Sequence, residues 1–204
     1  MCNGMPYTSS NPTFDPMKIS LAWLLLMPLS ASAIDRDFSN AVQTGAGIYS
    51  SIYAHELGHA LVMKAMGASD IHIQVPRPGG IFSGQTSGIF KQESTPGQRQ
   101  LLAASGLLTA NLAAELIMQR TGLHDSAYAQ SLLGTSLISN LIHVTHYYTK
   151  TRGINGYAGN DIDQFELADG NPHVMAAVLT GYTLWTLNRM QKKNIPLFYV
   201  KLKF

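Results

Sequence analysis

Residues 51–68 read SIYAHELGHALVMKAMGA and place His55, Glu56 and His59 in the spacing H-E-x-x-H. On an α-helix, positions i and i+4 share a face about one turn apart, so both imidazoles can reach one ion. Tetrahedral Zn²⁺ accepts such a pair and leaves room for a third protein ligand and a water. Glu56 projects beside that face, where a carboxylate can take a proton from the water as general base. Apolar or small residues cover the rest of the helix, among them Ile52, Ala54, Leu57, Ala60, Leu61, Val62 and Met63. A helix apolar all round is buried in protein or lipid. Two imidazoles and a carboxylate inside it would cost several kcal/mol without partners. The competing reading makes His55 and His59 core histidines bonded to backbone carbonyls, with Glu56 turned to solvent.

A histidine pair needs a third ligand, and three segments offer one. In NLAAELIMQR, Glu115 lies on an apolar helix one turn from Asn111, which it could equally bond. In SNLIHVTHYYTK, Asn140, His143 and Tyr147 share a face. There His143 can ligate, and Asn140, His143 or Tyr147 can donate to a reacting carbonyl, unless the stripe only holds helices together. In NGYAGNDIDQFELADG, Asp161 and Asp163 follow a Gly/Asn-rich loop and form the densest acidic cluster of the chain. Either could ligate, and either could cap a helix.

The elements that must position these groups follow from periodicity. A helix is expected from about Thr44 to Met66, with Gly67 as C-cap. Ile71, Ile73 and Val75 alternate with polar residues, Pro76–Gly80 breaks the run, and a Ser/Thr/Gly-rich strand returns: a β-hairpin. Three apolar helices follow, at about 98–119, 126–150 and 172–192. The tail NIPLFYVKLKF alternates as a half-buried strand, best paired with the hairpin. The fold class is therefore mainly α: a bundle of about four apolar helices, a small sheet after the H-E-x-x-H helix and a C-terminal strand. Residues 126–149 and 171–188 carry no formal charge and are each about long enough to cross a bilayer. Polar residues scattered through them and a mean hydropathy of +0.04 leave the spanning question open.

The 204 residues suit one domain. A net charge of +2 without a basic run excludes nucleic acid as an expected partner. Charged residues make up only 13%, about half the usual share. From Met17 the chain reads MKISLAWLLLMPLSASAIDRD, the order of a secretory signal peptide cleaved after Ala33. Residues 1–16 then form an upstream extension, 17–33 the signal and 34–204 a single helical metallopeptidase-like domain. The expected destination is the inner membrane or periplasm of a bacterium. The lone cysteine, Cys2, precedes the signal, so the mature chain must draw metal ligands from His, Asp and Glu.

The order of H-E-x-x-H helix, hairpin, small-residue helix ASGLLTANLAAE and distal aspartate resembles the site-2-protease class of zinc peptidases and related zincins, over about residues 44–165. The resemblance implies a zinc metalloendopeptidase in a membrane, acting on a protein or peptide substrate. It implies His55 and His59 as ligands, Glu56 as base and Asp161 as third ligand, with Ser105-Gly106 through Asn111 as the family's Gly…Asn helix. A hairpin edge could hold an extended substrate by strand addition. Two other readings stand beside it. One is a soluble periplasmic metallopeptidase with Glu115 or His143 as third ligand. The other is a non-catalytic exported helical protein that binds zinc.

Overall fold

The computed structural model describes residues 36–77, 80, 83–149 and 160–198. Five helices and one hairpin follow in order: α1 (Arg36–Ala65), β1 (Ser69–Gln74), β2 (Gln85–Ile89), α2 (Pro96–Gln119), α3 (Ala127–Thr149), α4 (Asp161–Leu167) and α5 (Pro172–Lys192). A 3₁₀ turn at Thr121–Leu123 joins α2 to α3. The expected mainly helical bundle with a small antiparallel sheet is what forms. The upstream extension and the signal sequence lie outside the described residues.

Local signals set most boundaries. Thr95 and Gln98 close a reciprocal capping box at the start of α2, with Pro96 in the first turn. Asn160 and Asn171 cap α4 and α5 through their side-chain oxygens. Gly67 ends α1 at φ +81°, and Ala68 N–H returns to Met63 O. Asn194 plays the same part after α5 at φ 53°, with Ile195 N–H donating to Met190 O and both side chains in the core.

Three expectations are corrected. Helix α1 begins at Arg36 rather than Thr44; the polar stretch 36–43 hid an acidic first turn at Asp37 and an apolar i, i+4 pair, Phe38 and Val42. Residues 161–167 form a helix of their own, capped by Asn160 and not by either aspartate. In the tail, residues 195–198 form no strand, because Ile195 and Leu197 pack into the helical core instead. The rest of that run lies outside the described residues.

Helix α1 packs against α2 and α3 through glycines. A Cβ at Gly47 would overlap the Tyr128 carbonyl oxygen, and one at Gly58 would overlap the Ser105 carbonyl oxygen. The hairpin pairs Ile73 with Thr86 and Gln74 with Gln85, and rests on α1. Two apolar clusters fill the bundle. Met118, Leu133, Leu137 and Met190 hold one end, and Leu107, Ile162, Met175 and Leu179 hold the end beside α4.

Large apolar side chains lie on the outer faces of the helices as well as in the core, where small and hydroxylated residues share the packing. The buried positions of α1 include Gly47, Ser50, Ser51, Gly58 and Ala60, whereas Phe38, Val42, Tyr49 and Leu61 are exposed. In α2, Ala103, Ser105, Gly106 and Ala110 face inward together with Leu107, Ile117 and Met118, while Leu101, Leu108, Leu112 and Leu116 face out. Helix α5 buries Thr183 and Thr186 beside Met175, Leu179 and Met190, and exposes Val174, Val178, Leu184 and Trp185. Among the described residues, α2 is long and apolar enough to cross a membrane, a test that a core helix also passes.

Candidate metal centre

The i, i+4 spacing on α1 does bring the two imidazoles together: His55 Nε2 and His59 Nε2 are 3.1 Å apart. The Asn160 cap starts α4 so that Asp161, its first residue, meets both rings. Asp161 Oδ2 lies 3.2 Å from His55 Nε2, and Oδ1 lies 3.5 Å from His59 Nε2. From α3, His143 Nε2 reaches within 3.8 Å of Asp161 Oδ2. His55, His143 and Asp161 each offer an atom within 4.8 Å of the other two, a group that could hold a metal ion. His59 adjoins that group.

The spacing can be compared with coordination geometry. Two ligands at ~2.0–2.1 Å from a tetrahedral ion stand about 3.3 Å apart. The separations of 3.1, 3.2 and 3.5 Å bracket that value.

Hydrogen bonds orient the rings. His59 Nδ1–H donates to Leu102 O at 2.8 Å, so on the neutral ring the lone pair is at Nε2, on the side of Asp161. His143 Nδ1–H donates to Ser139 O at 2.9 Å with the same consequence. Asp161 Oδ2 and His55 Nδ1 are buried atoms without a hydrogen-bond partner among the described residues. An orphaned carboxylate oxygen facing imidazole nitrogens is the arrangement a cation would satisfy. Gly106 on α2 makes the room, since a Cβ there would overlap Nε2 of both His55 and His59. Burial alone would raise the Asp161 carboxyl, but the adjacent His55 and His59 outweigh it and hold that group far below the usual carboxylate range.

Glu56 is buried and does not turn to solvent. Its Oε2 accepts a 2.7 Å hydrogen bond from Thr86 Oγ1 on β2. A Cβ at Gly84 would meet the Glu56 side chain, so the second hairpin strand is shaped around this carboxylate. The side chains of His55, His59, His143 and Asp161 retain only 12–18% exposure, which makes the corner enclosed yet reachable.

The remaining candidates lie elsewhere. Glu115 forms a two-pronged ion pair with Arg189 at 2.6 and 2.9 Å, not a bond to Asn111. Asn140 exchanges hydrogen bonds with Asn111 and donates to Thr183. Tyr147 donates to Glu166. Asp163 stands in the first turn of α4, outside the metal-ligand group. Sequence reasoning missed Thr86, Gly84 and the positioning role of Gly106. The Gly-x-Thr spacing in SGQTSG was a usable signal, since a small residue beside a hydroxyl marks close approach to another group.

No family model, curated protein or solved structure matches this chain.

Proposed function

We propose that this protein is a zinc-dependent peptidase whose helical bundle sits in a membrane. The observation that carries the reading is the convergence of His55 Nε2, His59 Nε2 and the Asp161 carboxylate at 3.1–3.5 Å, with a buried glutamate next to the first histidine. The donor set of two imidazoles and a carboxylate suits zinc in a hydrolytic site.

Zinc held by these residues would polarise a peptide carbonyl and lower the pKa of a coordinated water to about 7. Glu56 then takes the proton from the attacking water and returns it to the leaving amine. Thr86 positions the carboxylate through Oε2. His59 is kept in the ligating tautomer by Leu102 O, and Asp161 stays ionised between the rings. An extended peptide could lie along the hairpin, whose main-chain groups accept many sequences.

The apolar outer surface supports a lipid environment. Small and hydroxylated residues let the helices approach, and Leu, Val, Phe and Trp point outward, as in bundles dissolved in a bilayer. Between Arg99 and Glu115 on α2, along all of α3, and before Arg189 on α5, no Asp, Glu, Lys or Arg occurs. At the far end of the bundle, Trp185, Arg189, Lys192 and Lys193 gather on α5 as an interfacial anchor. Export to the inner membrane of a bacterium fits this arrangement.

Purified in detergent, the chain should bind about one zinc and cleave a fluorescently labelled casein. Glu56→Gln should keep the zinc and lose the cleavage. Retained cleavage in that variant would remove the catalytic reading, and recovery of wild type from membranes without detergent would remove the embedded one.

A further inference from the structure

We propose that His143 is a fourth protein ligand of the same ion, bound at rest and displaced when an oxygen ligand enters. The inference rests on the metal reading above and adds a closed state to it. The tautomer is the first ground. His143 donates Nδ1–H to Ser139 O, so on the neutral ring Nε2 presents a lone pair towards Asp161. Such a ring has no N–H to give to an oxyanion, and a ligand role is what its geometry allows. The second ground is placement. Its Nε2 approaches Asp161 Oδ2, the oxygen nearest His55, and the two imidazoles lie 5.6 Å apart between centroids.

Displacement follows from where each ring stands rather than from its anchoring, since His55 Nδ1 has no hydrogen-bond partner among the described residues. The Nδ1 of His59 is tied across the bundle to Leu102 on α2. His143, bonded to Ser139 on its own helix, is the most exposed of the three rings at 18% and stands farthest from Asp161. A side-chain rotation frees it without moving a helix. The bond from His143 Nε2 to the metal breaks as a bond from the incoming oxygen forms. The imidazole leaves neutral with its proton still on Nδ1, and no electron is transferred.

The test is X-ray absorption on the zinc-loaded full chain in detergent, counting coordinated imidazoles before and after saturation with acetohydroxamate. Three imidazoles in the untreated protein, falling to two with acetohydroxamate and to two in His143→Gln with zinc retained, is the expected result. Two imidazoles in untreated wild type would overturn the proposal and leave the three-ligand zinc site intact. Three that persist at saturation would overturn the displacement. Absence of zinc from folded, metal-supplemented wild type would remove this inference together with the function it rests on. Should His143→Gln fail to fold, the two wild-type spectra decide alone.

Discussion

Asn140 and His143 lie less than one turn apart on α3 and belong to polar clusters of different construction. Asn140 is 1% exposed, trades amide hydrogen bonds with Asn111 on α2 and donates to Thr183 on α5. Each member answers another, and the set closes on itself while joining three helices. At His143 the polar atoms converge but leave two unanswered: His55 and His59 lie against the Asp161 carboxylate, while Asp161 Oδ2 and His55 Nδ1 have no hydrogen-bond partner among the described residues. A closed network fixes helix packing, whereas an open one is complete only with something added. Neither burial nor an orphaned atom alone distinguishes a site from a strut, since Ser131 Oγ and Thr186 Oγ1 also lack partners; the convergence of imidazoles on one carboxylate does.

The largest effect that would sharpen this contrast is on turnover. Glu56→Gln should lower casein cleavage by about 10²–10⁴-fold, the usual contribution of general acid–base catalysis, with zinc content unchanged. Next comes stability. Asn140→Ala leaves Asn111 and Thr183 short of partners, a cost of about 1–3 kcal/mol for each buried group. It should lower the thermal midpoint and spare the zinc; loss of zinc at an unaltered midpoint would show that the two clusters are one.

Two glycines make a smaller comparison. Gly106→Ala forces a methyl against both ligating imidazoles and should weaken zinc binding about tenfold or more. Gly181 on α5 has nothing within 4 Å of an added Cβ, so Gly181→Ala should be neutral or stabilise by up to ~1 kcal/mol. Chelator competition and melting curves read both. The smallest effect belongs to Glu115→Gln. It breaks a partly exposed pair with Arg189, worth about 0–1 kcal/mol, and should leave zinc untouched.

Acid should act on the open cluster in a particular window. Asp161 is held ionised well below the ordinary carboxylate range, whereas a histidine must be neutral to ligate. Zinc should therefore leave as acid protonates the ligating imidazoles, at a pH displaced below their ordinary range by the metal's competition with protons. Zinc content after dialysis across a pH series shows which group governs release.

How much of this was legible beforehand differs between parts. The hairpin and helices α2, α3 and α5 announced themselves through their apolar runs, Gly67 and the alternation of Ile71 and Ile73, because periodicity is local, whereas the caps at Thr95 and Asn171 went unread. The pairing of His55 with His59 was equally local. Asp161 was one of several acids by spacing, and only the position of α4 against α1 and α3 singles it out. Glu115 read as a plausible ligand because nothing in its own segment reveals Arg189, which lies on another helix. Thr86 and Gly84 escaped notice for the same reason: their meaning depends on how the hairpin folds back onto Glu56. The exposed apolar surface was also invisible in one dimension, since the helices are apolar on both faces.

The central claim is that His55, His59 and Asp161 form one metal site, and zinc per chain tests it most directly. Detergent-purified wild type should carry about one zinc, while Asp161→Asn and His59→Ala, still folded by circular dichroism, should carry almost none. A folded wild type that takes up no zinc after supplementation, or an Asp161→Asn variant that binds it as tightly as wild type, would contradict the account.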